Sequence, residues 1–84
     1  MSYRPWLEDR ALRQMDGLPA EALDLLARAM ARICDGPYDR LFSVAMRDDA
    51  PSERMAEFGD LGFMEFEVDD AAGLVRVYTL AWLG

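Results

Sequence analysis

The hydrophobic pattern of the chain changes from a helical to a strand period at the pair Gly36-Pro37. Before this pair, apolar residues in the segment LPAEALDLLARAMARICD recur every three or four positions, which is typical of an amphipathic helix. After it, short apolar segments alternate with polar residues and are separated by turn residues, which favours β-strands. A chain with its helices first and its strands afterwards is expected to form an α+β fold, with the helices on one face of a sheet.

The helical half of the sequence divides into two helices. Apolar residues repeat at helical spacing from Leu7 to Met15, and Gly17 is a typical residue at a helix end. We therefore predict a helical hairpin over residues 8–35. The segment SYRPWL before it predicts a short leading strand, which Pro5 restricts to a sheet edge because proline has no backbone N–H to donate.

The second half of the chain predicts four strands, over residues 40–46, 54–58, 63–68 and 74–82. The turn-forming segments RDDAPSE, GDLG and DDAAG separate them. Residues 1–84 are therefore expected to form a single domain, in which an N-terminal helical hairpin packs on one face of a small antiparallel sheet.

In one pairing register of the last two predicted strands, apolar residues share one face and polar residues share the other. The pairs in this register are Asp69–Leu74, Val68–Val75, Glu67–Arg76, Phe66–Val77 and Glu65–Tyr78. One face is then apolar, whereas the other carries Glu67 opposite Arg76 as a cross-strand ion pair, with Glu65 also facing solvent. We expect the apolar face to pack against the helices through Met64, Phe66, Val68, Val75 and Val77.

The chain is acidic, and the acidity is concentrated in its second half. The formal net charge is -7. Residues 1–42 hold six arginines against seven acids, and residues 43–84 hold three arginines against nine acids. Such a field repels phosphate backbones, so direct nucleic-acid binding is unlikely on charge grounds, and basic or apolar protein partners are favoured.

The composition predicts no cofactor and no metal. The chain has no histidine, and its single cysteine, Cys34, lies on the apolar stripe of the second helix, where it is expected to act as a small hydrophobe. The acidic groups that could bind a cation are Asp48, Asp49 and Glu53, or Asp69 with Asp70. Both groups lie in predicted turns without the spacing of a calcium loop, so we interpret them as turn residues. One free cysteine and the absence of a signal-like apolar segment predict a cytoplasmic protein.

Two segments of the sequence resemble the RelE/ParE superfamily of bacterial toxins from type II toxin–antitoxin modules. The first is LEDRALRQMDGLPAEALDLLARAMARICDGP, and the second is FEVDDAAGLVRVYTL. The resemblance implies a bacterial toxin-like α+β fold and an antitoxin-like protein partner. In ribonuclease members of the superfamily it also implies mRNA cleavage at the ribosome, carried by basic residues and a tyrosine or histidine on the sheet.

Several positions depart from the ribonuclease pattern of the superfamily. Phe63 and Met64 stand where those members often carry an arginine, and the middle loop reads RDDAPSE where theirs is often basic. After the last predicted strand, the sequence has Trp82-Leu83-Gly84 where they continue into a basic, tyrosine-bearing segment. These departures predict a loss of conventional ribonuclease chemistry.

Two sets of candidate site residues follow. If the chain is a ribonuclease, its catalytic residues are expected to be Arg54, Arg76 and Tyr78, with Arg47 as an additional candidate; the alternative is that these arginines pair with neighbouring acids. The predicted partner-binding residues are Trp6, Phe63, Trp82 and Leu83, because large apolar side chains near chain ends and strand edges form an adhesive surface for a partner or for self-association.

The sequence therefore favours a divergent toxin-family protein that acts by protein binding. Two alternatives stay open at this point. One is an active ribosome-dependent mRNA endoribonuclease, and the other is a non-toxic protein-interaction scaffold.

Overall fold

A computed structural model describes residues 2–84 of the chain, with two helices and five strands. The elements in chain order are β1 Arg4–Leu7, α1 Asp9–Asp16, α2 Ala20–Asp35, β2 Val44–Ala45, β3 Glu53–Phe58, β4 Gly62–Asp69 and β5 Leu74–Trp82. The predicted helical hairpin and leading strand are confirmed. Gly17 ends α1, where its N–H donates to the carbonyl of Gln14 at 3.2 Å. Gly36 ends α2, and its N–H is directed to the carbonyls of Arg32 and Ile33.

The five strands form one sheet in the order β1-β5-β4-β3-β2. All neighbouring pairs are antiparallel except β1 and β5, which run parallel. The helical hairpin carries the chain across one face of the sheet, from β1 at one edge to β2 at the other. The predicted α+β class is therefore confirmed, with the leading strand as a parallel edge of a mostly antiparallel sheet. Within residues 2–84, neither helix is long and apolar enough to cross a bilayer.

The strand predicted over residues 40–46 is wrong for most of its length. Only Val44–Ala45 pairs with β3, because residues 40–43 are held in a turn by hydrogen bonds to Asp39. Its carboxylate accepts the N–H of Leu41 at 2.9 Å, and its carbonyl accepts the N–H groups of Phe42 and Ser43 at 3.0 and 3.1 Å. Aspartate competes for backbone donors in this way, and the apolar pattern of residues 40–46 did not reveal it.

The register predicted for β4 and β5 is confirmed from Asp69–Leu74 to Phe66–Val77, but the pair Glu65–Tyr78 is wrong. A β-bulge shifts the register between Glu65 and Phe66, so that Glu65 lies opposite Thr79. The extra residue in β5 is Tyr78. It reverses the alternation of buried and exposed side chains along the end of the strand, so that Leu80 is buried instead of Thr79.

The core lies between the two helices and one face of the sheet. The side chains predicted to face the helices are all buried, and Cys34 is buried among apolar neighbours as predicted. Burial is the main cause that raises the pKa of the Cys34 thiol. The largest fully buried side chains are Phe58, Phe66, Ile33, Met64, Val75 and Val77. Each stabilises the fold by about 1.5–3 kcal/mol relative to an exposed position.

Candidate functional site

The face of the sheet opposite the helices, here called the helix-free face, carries a mixed row of side chains across four strands. Trp6 lies opposite Arg76, Arg76 opposite Glu67, and Glu67 opposite Glu53. Side chains directly opposite one another on neighbouring strands share a face. Acids dominate this face: the same registers place on it Glu53, Glu57, Glu65, Glu67 and Asp69, against Arg4 and Arg76.

Arg76 is held at the centre of the helix-free face by carboxylates, but the ion pair predicted with Glu67 is wrong. An Nη atom of Arg76 lies 2.6 Å from Oδ2 of Asp69, and the other Nη lies 3.9 Å from Oε1 of Glu8. Asp69 also accepts the N–H of Ala72 at 3.0 Å, so its carboxylate is fixed in the β4–β5 turn within diagonal reach of Arg76. The hydrogen bond that Arg76 donates to Asp69 is the main cause that raises the pKa of Arg76.

Tyr78 belongs to the same face, at the β-bulge. Its hydroxyl donates a long hydrogen bond of 3.4 Å to Oε1 of Glu67. Partial burial, followed by the negative charge of Glu67, raises the pKa of Tyr78 above that of a free tyrosine. The phenol therefore stays protonated at neutral pH and can donate a proton, but it is poorly suited to accept one.

Arg54 lies on the other face of the sheet, because it stands opposite the core residue Phe66. Only 5% of Arg54 is exposed. Its guanidinium donates to the side-chain oxygen of Ser43 at 2.7 Å, to the carbonyl of Pro51 at 2.9 Å and to the carbonyl of Ser43 at 3.0 Å. It also lies 5.4 Å from the ring centroid of Tyr38. The structure therefore brings together Arg76 and Tyr78 of the predicted catalytic set, with Arg54 on the opposite face.

Arg47, the additional candidate, is bound by acids at the sheet edge. Its Nη2 lies 2.8 Å from Oε2 of Glu53, and its Nε lies 3.8 Å from Oδ1 of Asp49. A guanidinium paired with carboxylates is less available to a phosphate.

The four predicted partner-binding residues lie at two separate places. Trp6 is 54% exposed on β1, beside Arg76. Arg76 and Trp82 are six positions apart on β5, which corresponds to about 20 Å of extended chain. Trp82 is half-buried and stacks on Phe58 with ring centroids 5.9 Å apart, whereas Leu83 is 70% exposed.

Phe63 lies near Trp82 along the sheet but on the helix-free face, opposite Ala81 and Glu57. Trp82 pairs with Gly62 and turns its ring toward the core residue Phe58. The predicted adhesive set is thus divided between the two faces at one end of the sheet, with Trp6 at the other end.

Two further features were not found from the sequence. The first is a clasp in which Asp70 accepts hydrogen bonds from the hydroxyls of Tyr3 at 2.5 Å and Tyr38 at 2.8 Å. These bonds join the N-terminal segment, the α2–β2 loop and the β4–β5 turn. Tyr3 and Tyr38 lie 67 and 32 positions from Asp70, so no local sequence pattern indicates these contacts.

The second feature is a pair of surface grooves. One, of about 380 Å³, lies at the edge of the sheet between α2, the segment before β2 and the end of β3. The other, of about 180 Å³, is almost wholly apolar and lies between the helices and the β1–β5 side of the sheet. The first groove has a mixed polar and apolar lining. Concavities with apolar side chains are where protein and peptide partners insert anchor side chains.

Comparison with known proteins gives matches in structure alone. No protein-family model matches the chain, and no curated protein matches it in sequence. The isolated E. coli RelE toxin superposes with a TM-score of 0.83 at 14% identity, covering 99% of this chain and 86% of that one. The intact E. coli RelBE toxin–antitoxin complex gives 0.80 at 14% identity, covering 99% of each chain. An archaeal RelE–RelB complex from Pyrococcus horikoshii gives 0.74 at 14% identity, covering 100% and 98%.

These likenesses establish the fold. The chain has an α+β fold with a helical hairpin on one face of a mostly antiparallel sheet and an open opposite face. More particularly, it has a RelE-like fold, which confirms the resemblance that the sequence predicted.

Proposed function

We propose that this chain is a divergent toxin-family protein of a bacterial toxin–antitoxin type system, acting in the cytoplasm by binding protein without conventional ribonuclease catalysis. The RelE-like fold supports the toxin-family part of the proposal, because its solved neighbours include RelE in complex with the antitoxin RelB. The antitoxin-like partner of this chain would be a protein segment that lies along the domain as a helix or a strand.

The negative charge of the helix-free face is the observation that supports the absence of conventional ribonuclease catalysis in this proposal. Cleavage of a phosphodiester needs cations that stabilise the developing negative charge and a group that moves a proton. On this face Arg76 is neutralised by Asp69, and Tyr78 is hydrogen-bonded to Glu67. Strand acids surround both residues, so an approaching phosphate meets a repulsive field.

The active endoribonuclease is the second candidate, and the proximity of Arg76 to Tyr78 on one face is what favours it. In that case RNA would have to displace Asp69 from Arg76, and the protonated hydroxyl of Tyr78 would act as a general acid. Arg54 would contribute from the opposite face only by holding the α2–β2 loop in place.

Induction of the chain alone in a bacterial culture tests the proposal, with growth and total mRNA followed together. The expected result is growth arrest with intact mRNA, unchanged in an Arg76→Ala/Tyr78→Phe variant. Cleaved mRNA that becomes intact again in this variant would overturn the proposal in favour of an endoribonuclease. Unimpaired growth with soluble protein present would instead support the non-toxic interaction scaffold.

A further inference from the structure

The edge of the sheet at β3 is only partly covered. The two-residue strand β2 pairs with Arg54 and Met55, which leaves residues 56–58 of β3 without a neighbouring strand on this side. The carbonyl of Glu53 accepts the N–H of Met46 at 2.9 Å and therefore points toward this edge. Backbone groups alternate in direction along a strand, so the N–H and C=O of Glu57 also point outward and are open to pairing.

The opposite edge of the sheet, at β1, is poorly suited to pairing. The N–H groups of Arg4 and Glu8 bond to β5, so Tyr3, Pro5 and Leu7 direct their backbone groups outward. Tyr3 already donates its N–H to the carbonyl of Cys34 at 2.7 Å, and Pro5 has no N–H, which leaves that of Leu7. Within residues 2–84, the β3 side of the sheet therefore offers the better place for an added strand.

The groove of about 380 Å³ begins at this uncovered part of β3. Apolar side chains from α2, the α2–β2 loop, β3 and β4 line it, among them Ile33, Leu41, Phe42, Met55 and Phe63. Leu41 is 87% exposed at its rim. The residue paired with Glu57 would share the helix-free face with the Glu57 side chain, so its two neighbours would project their side chains toward α2 and the α2–β2 loop.

The same groove has a net positive lining on an acidic molecule, because two arginines, Arg32 and Arg40, outnumber its one acid, Glu57. Neither arginine forms a salt bridge within residues 2–84. Both arginines are exposed at the surface. The net charge of -7 repels acidic partners from much of the surface, so two arginines without salt bridges in a partly apolar groove provide a place where a carboxylate can bind.

We propose that this open-edge groove binds an extended acidic segment of a partner protein by strand addition. The backbone of the segment pairs with Glu57, an apolar side chain enters the groove, and carboxylates on the same face of the segment bind Arg32 and Arg40. The inference deepens the proposed function and rests on its protein-binding part, because it names the site and the chemistry of the partner segment.

A fluorescein-labelled, N-acetylated peptide TETVTET provides the probe. Its glutamates and valine share one face of an extended strand, and its threonines favour that conformation. Anisotropy titrations at low salt are expected to give saturable binding. A peptide with arginine in place of glutamate, and one with N-methyl groups on the second and third threonines, are expected to bind about tenfold more weakly or worse.

Protein variants locate the binding site. The Arg32→Ala/Arg40→Ala variant is expected to bind the acidic probe about tenfold more weakly or worse. The control is Arg10→Ala/Arg13→Ala, which removes the same charge from exposed positions of α1. Equal affinities in the two variants, equal binding of the acidic and basic peptides, undiminished binding of the N-methylated peptide, or no saturable binding up to about 1 mM would each overturn the inference.

These outcomes are separable from the test of the proposed function. Probe binding with the expected dependence on Arg32 and Arg40, in a protein that cleaves mRNA, would support the groove and overturn the non-catalytic role. Growth arrest with intact mRNA, in a protein whose probe binding fails these criteria, would support the non-catalytic role and overturn the groove.

Discussion

The guanidinium of Arg54 lies inside the protein among neutral oxygens. It bonds to Ser43 twice and to Pro51 once, and it faces the ring of Tyr38. A buried cation is tolerated when its donors are satisfied, and here the acceptors belong to the segments on both sides of β2. Arg54 thus fixes the loops that leave part of the β3 edge uncovered.

Replacement of Arg54 by alanine is expected to lower the free energy of unfolding by about 2–4 kcal/mol, because it leaves buried acceptors unpaired and removes packing. The matched control is Arg47→Ala, whose exposed ion pairs are expected to contribute no more than about 1 kcal/mol. Urea unfolding measures both values. Equal losses for the two variants would contradict the structural role of Arg54.

The clasp at Asp70 makes stability depend on pH. Hydrogen bonds from Tyr3 and then Tyr38 lower the pKa of Asp70 in the folded protein. A carboxylate with a lowered folded pKa stabilises the fold above its unfolded pKa of about 3.9, and this contribution disappears as the pH falls through the folded value. In the opposite direction, burial and the bond to Asp70 raise the pKa of Tyr38 to about 12.

The Asp70→Asn variant is therefore expected to melt at a lower temperature than the wild type at pH 7, with the difference decreasing as the pH falls below about 4. Tyr38→Phe removes one of the two hydrogen-bond donors to Asp70. In a Tyr38→Phe background, the Asp70→Asn substitution is therefore expected to lower the melting temperature at pH 7 by less. Thermal melts across this pH range provide the measurement. A difference for Asp70→Asn that persists undiminished at pH 2 would show that the charge of the clasp has no such role.

At the scale of the elements, one extra residue in β5 determines what the end of the sheet presents. The bulge at Tyr78 turns Leu80 into the core and brings Trp82 against Phe58. Strict alternation from Val77 would have buried Thr79 instead. The bulge also leaves the Tyr78 hydroxyl on the helix-free face, within reach of Glu67.

The β3–β4 hairpin needs glycine at position 62 for steric reasons. A Cβ atom there would lie 2.5 Å from ring carbons and from the carbonyl oxygen of Phe58, so Gly62→Ala is expected to cost about 1–3 kcal/mol and to displace the Phe58 ring. At Gly73 the φ angle is +68° and nothing lies within 4 Å of a Cβ position, so Gly73→Ala is expected to cost about 1–2 kcal/mol from backbone strain alone.

Fluorescence distinguishes the two glycine variants. In a Trp6→Phe background, Trp82 is the remaining tryptophan, and it stacks on Phe58. Its emission is expected to change in Gly62→Ala and to stay the same in Gly73→Ala. An unchanged spectrum in Gly62→Ala would contradict the predicted displacement of Phe58.

At the scale of the whole molecule, charge is segregated between surfaces. The helix-free face is acidic, whereas the unpaired Arg32 and Arg40 lie at the open-edge groove. Long-range repulsion would therefore act on nucleic acid approaching the helix-free face, and short-range attraction would act on carboxylates at the groove.

A single-stranded RNA of about 20 nucleotides is accordingly expected to show no salt-sensitive binding, even at low ionic strength. A variant with Glu53, Glu65 and Glu67 changed to lysine is expected to gain such binding. The control makes the same charge change at Asp9, Asp16 and Glu21, which are exposed on the helices. Salt-sensitive RNA binding by the unmodified protein would overturn the charge argument.

The sequence by itself determined the fold class, the helical hairpin and most of the register of the last two strands. These follow from the spacing of apolar residues and from the position of glycines and prolines. Both features act over a few residues, so they can be recognised in the sequence alone. The acidity of the helix-free face was likewise predictable, because Glu65 and Glu67 alternate with core residues on one strand.

Only the tertiary structure decided which side chains meet. The partner of Arg76 is Asp69 instead of Glu67, Arg54 is buried, and Asp70 joins two distant tyrosines. The short β2 and its groove depend in the same way on a turn at Asp39 that competes with the strand pattern. Such outcomes depend on sheet twist, a single bulge and contacts between distant segments, and none of these is encoded in the local period of the sequence.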